Sequence, residues 1–153
     1  MRLYTFGNVY LSSAQQGIQA AHVVAELFVK YQVPPYPALP SESPAAVLYD
    51  WATHHKTMIC LNGGNHQGLI ETSDKFAELA LKLELPYARF FEDEQSLGGI
   101  LTCYGVVVPT KVYELAAELR KPNDVMMFSS SIQQATPTEL ELAARLNQYS
   151  LAR

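Results

Sequence analysis

The residues with the clearest chemical potential are Asn62-Gly63-Gly64-Asn65-His66-Gln67-Gly68, a polar loop that follows directly on the apolar run from Lys56 to Leu61. Glycines there let backbone amides come close to an anion, and Asn65, His66 and Gln67 offer side chains able to read the edge of a base or a sugar. The spacing is neither a P-loop nor a dinucleotide fingerprint, so a plain connection between two elements stands beside the anion-binding reading. Gln19 and His22 fall one turn apart on a helical pattern, where a glutamine lines a pocket or packs, and a histidine acts as acid, base or hydrogen-bonded structural group. Asp93 follows a strand pattern, a position at which open α/β sheets gather ligand residues, though turns favour aspartate too. Trp51 offers a face for stacking on a base or a large core side chain. His54-His55-Lys56 reads as solvated surface. No carboxylate or third histidine lies at ligand spacing, so neither a metal nor a cofactor is expected.

The elements that must position these residues follow from periodicity. Residues 3 to 10 are rich in aromatic and β-branched side chains and predict a first strand. Ser12-Ser13 then offers an N-cap, and Ile18, Ala21, Ala25, Phe28 and Val29 recur at helical spacing to about Tyr31, with Ala20, Val24 and Leu27 widening the stripe. This pattern predicts a helix buried on more than one side, with His22 on a buried face. Residues 33–44 hold five prolines, at 34, 35, 37, 40 and 44, and predict an irregular excursion. Ala45 to His54 predicts a short helix, Lys56 to Leu61 a buried strand, and Ser73 a cap for a helix that carries Phe76, Leu79, Ala80 and Leu83 and stops at Pro86. Strands over Tyr87–Phe91 and Ile100–Val108, a helix over Lys111–Leu119, and a last helix behind the capping box Thr136-Pro137-Thr138-Glu139 complete the pass. The order βαβαββα makes the chain α/β. Residues 1–121 read as one domain, with 33–44 its proline-rich excursion, and 122–153 as an extension with a helix.

Composition narrows the function. A chain of 153 residues with 48% hydrophobic and 17% charged side chains is globular and suffices for one core. No run is long enough to cross a membrane, and Met1 to Phe6 lack the pattern of a secretory signal, which predicts a cytoplasmic protein. Cys60 and Cys103 each sit in an apolar run, read as small buried hydrophobes, and form no Cys-x-x-Cys pair. A net charge of −4 disfavours a broad grip on nucleic acid but leaves room for a local anion pocket.

Gln15 to Val23 are similar to the segment in which type II peptidyl-tRNA hydrolases carry Lys-x-x-x-Gln-x-x-His, with matches at Gln19 and His22. Leu85-Pro86, the strand after it, Asp93 and the run Cys103 to Pro109 are similar in order and spacing to that family's second catalytic segment and closing strand. The chain thus resembles that family over roughly residues 2 to 120, leaving the proline-rich excursion and the last thirty or so residues unmatched. The resemblance implies a single mixed four-stranded β-sheet sandwiched by helices, here with an extra C-terminal helix, and a homodimer. It also implies a site in which a lysine, an aspartate and threonines surround the ester joining peptide to the tRNA 3′ end.

The departures point away from hydrolysis. Gln15 stands where the family has its lysine, and an amide donates a hydrogen bond without supplying charge to an oxyanion. Loss of such a group lowers rates by roughly two to three orders of magnitude. The family's Asp-Ala-Gly-x-Thr-Gln becomes Asp93-Glu94-Gln95-Ser96-Leu97-Gly98, which keeps the carboxylate and loses the threonine. Ser96 or Thr102 supplies a hydroxyl only with a shifted loop. The leading expectation is therefore a non-catalytic protein that holds a nucleotide-like small molecule with Gln15, Gln19, Trp51 and the loop residues Asn62, Gly63, Gly64, Asn65 and His66. A phage protein that sequesters a nucleotide immune signal would be one instance. The alternatives are a peptidyl-tRNA hydrolase with Asp93, Ser96, Thr102 and His22 as catalytic residues, and a protein–protein interaction module.

Overall fold

In the computed structural model, residues 1–32, 43–121 and 130–152 are described, except the side chains of Ser96 and Leu97. The chain forms β1 (Arg2–Gly7), α1 (Ser13–Tyr31), α2 (Pro44–Asp50), a π-helical turn (Trp51–His55), β2 (Met58–Asn62), α3 (His66–Lys82) and β3 (Tyr87–Phe91). It continues through α4 (Glu94–Leu97), β4 (Leu101–Val108), α5 (Thr110–Glu118), α6 (Ser130–Gln133) and α7 (Pro137–Leu146). The four strands make one mixed sheet in the order β2-β1-β4-β3. β1 runs parallel to β2 and antiparallel to β4, which is antiparallel to β3. The chain is thus an α/β protein, as the βαβαββα pattern predicts.

Strand alternation divides the core into two layers. Leu3, Cys103 and Val107 pack with Val23 and Leu27 of α1, Leu48 of α2 and Trp51. Phe6, Tyr104, Val106 and Val108 pack on the other face with Leu69 and Phe76 of α3, Leu115 of α5 and Leu142 of α7. Phe6 stacks on Tyr104 at 4.6 Å, and Gly105 lets α1 lie close, since a Cβ there would stand 2.8 Å from a Val23 methyl. Residues 150–152 cover the carboxyl half of the outer edge of β2: Asn62 N donates to Ser150 O and Ala152 N to Cys60 O, both at 2.9 Å. Covering that half shortens the free ladder open to unwanted pairing.

Several elements differ from the sequence expectation. β1 ends at Gly7 instead of Tyr10, because Asn8 turns the chain, its side chain accepting from Tyr10 N at 3.0 Å. α1 starts where expected, with Ser12 and Gln15 forming a capping box, but it buries Gln16, Gln19, Ala20, Val23 and Leu27. The stripe of Ile18, Ala21, Ala25, Phe28 and Val29 faces outward, and His22 with it. α1 is therefore buried on one side only; two stripes of equal period compete, and the sheet takes the one carrying the glutamines. α3 begins at His66, seven residues before Ser73, because Asn65 caps it by accepting from Gly68 N at 2.9 Å. Ser73 lies buried within the helix and donates to Ile70 O. Ser43 caps α2 and Pro44 is its first residue, so proline here opens a helix where the sequence predicts the end of the excursion. Residues 33–42 of that excursion and 122–129 of the C-terminal extension lie outside the described residues. The last helix has the expected capping box of Thr136 and Glu139.

Candidate functional site

Parallel pairing of β1 and β2 sends both strands out at one edge of the sheet, and each is followed by a helix that begins there. Two loops meet at this edge. Gly63 N donates to Gly7 O at 2.8 Å, Val9 N to Gly64 O at 2.9 Å, and Asn8 N to Thr102 O at 3.1 Å. Asn62 folds its side chain back to accept from Gly64 N at 3.0 Å, while Gly64 takes a φ of 90°, which favours glycine. Gly63 is packed as tightly: a Cβ there would collide with a Leu69 methyl. Asn62, Gly63 and Gly64 thus build a fixed shelf.

The first-turn amides of a helix have no intrahelical acceptor. In α1 the Ser12 hydroxyl serves Gln15 N at 3.3 Å, and the helix itself offers nothing to Ser13 N and Ala14 N. In α3 the Asn65 side chain serves Gly68 N, which leaves the amides of His66 and Gln67 in the same condition. These ends carry partial positive charge and favour an anion. Tyr10, 81% exposed, lies in the first loop, two residues before the Ser12 cap of α1. Sequence reasoning missed Tyr10 because it counts as strand in the aromatic run; the signal was the turn-favouring Gly7-Asn8 pair before it.

A second polar cluster lies behind α1. Thr102 Oγ1 donates to Gln19 Oε1 at 2.9 Å, and Gln19 Nε2 donates to Glu92 Oε1 at 2.6 Å. Thr102 and Gln19 are buried. Asp93 follows Glu92 and is exposed; its carbonyl oxygen accepts from Gly99 N, and Glu92 N donates to Ile100 O, which closes the loop carrying α4. The structure therefore brings Gln19, Thr102 and Asp93 to one edge. Ser96 lies on α4, with its side chain outside those described. Glu92, the carboxylate that meets Gln19, is the residue sequence reasoning did not single out.

The remaining candidates are placed otherwise. Gln15 is exposed, and its side-chain oxygen accepts from Ser12 N at 2.9 Å, completing the cap. His22 is exposed and stacks on Phe90 at 4.3 Å, so the buried-face expectation is corrected. Trp51 is buried and donates its indole N–H to Thr57 O at 3.0 Å, at the start of β2. That is the far end of the strand from Asn62, roughly 16 Å away at about 3.3 Å per residue. Trp51 is thus apart from the loop it was grouped with. His54 and His55 both approach Asp50, at 2.8 and 3.4 Å, on the exposed π-helical turn. Among the described residues no group of three or more His, Cys, Asp or Glu side chains is placed to hold a metal ion. No described helix is long and apolar enough to cross a membrane. Burial pushes the Cys103 thiol up to about 12, so this cysteine is an inert core residue.

Fold and site together define a class: an α/β protein with a mixed four-stranded sheet between helical layers and two polar loops laced together at the carboxyl edge of its parallel strands. No family model matches the chain, and no curated protein sequence matches it either.

Proposed function

We propose that this chain is a non-catalytic binding protein for a nucleotide-like ligand, held at the carboxyl edge of β1 and β2 on a scaffold related to type II peptidyl-tRNA hydrolases. The observation that carries this reading is the joining of the loops that lead into two helices through Val9 N and Gly64 O, with exposed Tyr10 next to Val9 in the first of them. Such ends accept a phosphate, an aromatic face accepts a base, and Asn65, His66 and Gln67 have donors and acceptors for a sugar or base edge. Hydrolysis is disfavoured by the same geometry. The Thr102 hydroxyl is buried and donates to Gln19, Gln19 is held at both ends of its amide, and Gln15 completes a cap. None of these is poised as a nucleophile or as a cation beside an ester. Binding as a phage-type decoy for a nucleotide signal is one biological role consistent with this reading.

Calorimetry with mononucleotides and cyclic nucleotides tests it. At least one member is expected to bind saturably, with affinity lowered about tenfold or more in Tyr10→Ala, since one stacked base contributes about 1–3 kcal/mol. A model peptidyl-tRNA is expected to stay intact. Silence across the panel from folded protein overturns the reading, and peptide release lost on Asp93→Ala replaces it with the hydrolase.

A second reading, self-association, is favoured by the outward stripe of α1, where Ile18 is 56% and Val29 70% exposed. Light scattering should then report a dimer that Val29→Glu converts to monomer.

A further inference from the structure

Away from the loops, over the face of β1 and β2 on the side of α5 and α7, two adjoining cavities share Arg2, Tyr4, Arg120 and Leu146 in their walls. The larger has a volume of about 420 Å³ and is closed by Ile59, Leu61, Tyr149 and Leu151; the smaller, of about 150 Å³, extends to Tyr113 and Glu114. The two arginines therefore stand at the waist between the chambers. Both are held. The Arg2 guanidinium lies 3.9 Å from the centre of the Tyr113 ring, and Arg120 Nε donates to Asn147 Oδ1 at 2.7 Å, while Asn147 Nδ2 donates to Ala116 O at 2.7 Å. Orientation fixed in advance lowers the entropic loss on binding.

Neither arginine forms an ion pair among the described residues. Lys75, Lys82, Arg89, Lys111, Lys121 and Arg145 each meet a carboxylate. Arg2 and Arg120 meet none within ion-pair distance among the described residues, although Glu114 borders the smaller chamber. In a chain of net charge −4, two cations lining one cavity, neither ion-paired among the described residues, make a local field for an anion. The larger chamber adds apolar walls, with Leu61 and Leu146 buried and Ile59 half-buried, and the rings of Tyr4 and Tyr149. Apolar lining with a few convergent polar groups is the usual make-up of a small-molecule site.

We propose that this groove binds a small amphipathic organic anion, its phosphate or carboxylate gripped by Arg2 and Arg120 and its apolar or aromatic body lying in the chamber floored by Tyr4, Ile59 and Leu61. Guanidinium groups match either headgroup through paired hydrogen bonds. Its anion grip is separate from the nucleotide proposal, because Arg2 begins β1 whereas the polar loops leave its other end, roughly 17 Å away at about 3.4 Å per residue, although the chamber's floor runs on to Leu61.

Calorimetric titration of the full chain with phenyl phosphate, benzoate, benzyl alcohol and inorganic phosphate tests it. Phenyl phosphate or benzoate is expected to bind saturably, the tighter of the two naming the headgroup. Benzyl alcohol, which lacks charge, and inorganic phosphate, which lacks a body, should each bind at least about tenfold more weakly. Arg120→Gln, at an exposed position, should weaken binding about tenfold or more, and Ile59→Glu should abolish it with both arginines present. No saturable heat from either aromatic anion, or Arg120→Gln binding as tightly as the parent, would overturn the proposal. Loss of this site with nucleotide binding intact leaves the reading of the carboxyl edge standing.

Discussion

The cluster of Thr102, Gln19 and Glu92 makes a quantitative prediction about stability. Thr102 is 1% and Gln19 7% exposed, and the hydrogen bond between them is 2.9 Å long. Thr102→Val keeps the shape but strands a buried carbonyl oxygen, which costs about 1–3 kcal/mol. Gln19→Leu strands the threonine hydroxyl and frees Glu92, which is half-buried and regains water, so its loss falls in the same range of about 1–3 kcal/mol. The double variant removes both partners and leaves nothing stranded between them. Its destabilisation should be smaller than the sum of the singles by about 1–2 kcal/mol. Urea denaturation followed by circular dichroism measures this, with the slope unchanged across the four proteins. Heating gives an independent reading, since each kcal/mol moves the midpoint by about 2–4 °C in a domain of this size. Strict additivity would refute the contact, and with it the argument that Gln19 serves the fold before any ligand.

Three further outcomes follow from the geometry. Gly63→Ala should destabilise by about 1–3 kcal/mol through overpacking against Leu69 and Phe6, whereas Gly64→Ala, with open space but a φ of 90°, should cost about 1 kcal/mol of backbone strain; thermal melts would rank them. Burial holds the Cys103 thiol at about 12 against an ordinary 9.0 and raises the Tyr104 and Tyr87 phenols too. The folded state then keeps protons the unfolded state loses, so stability present below pH 9.0 should decline toward about pH 12, and Cys103→Ala should flatten that decline in urea titrations. Burial raises the Glu139 carboxyl, but Lys111 at 2.7 Å and the Thr136 cap outweigh it and hold it below its ordinary value. Glu139→Gln should therefore lower stability near neutral pH by about 1 kcal/mol and make no difference once acid protonates the native carboxylate, as melts across that range would report.

Sequence carried the central strand well, because the apolar run from Cys103 to Val108 is buried throughout, and Thr136-Pro137-Thr138-Glu139 writes a cap in full. The run from Lys56 to Leu61, expected as a buried strand, instead forms the outer strand β2 from Met58 on, with Met58 exposed and only Leu61 buried. It misled on α1, where the outward stripe with Ile18 and Phe28 is as periodic as the inward one with Val23 and Leu27, and period alone does not rank two apolar faces. The inward face also carries Gln16, which donates to Leu11 O just ahead of the helix, and Gln19, whose burial depends on Thr102 and Glu92 from other parts of the chain. Such partners are invisible in a one-dimensional pattern. The polar loop was legible as a loop, yet its second half is helix, because Asn65 outcompetes Ser73 as a cap. The groove of Arg2 and Arg120 left no local trace, since its walls come from both ends of the chain.

The most direct test of the central claim follows backbone amide resonances while AMP is added to the folded protein. The account expects the amides of Ser13, Ala14, His66 and Gln67 to move together and saturate in step, with the Tyr10 ring shifting alongside. Shifts confined to residues around Arg2 and Arg120, or none at all for every nucleotide tried, would contradict it.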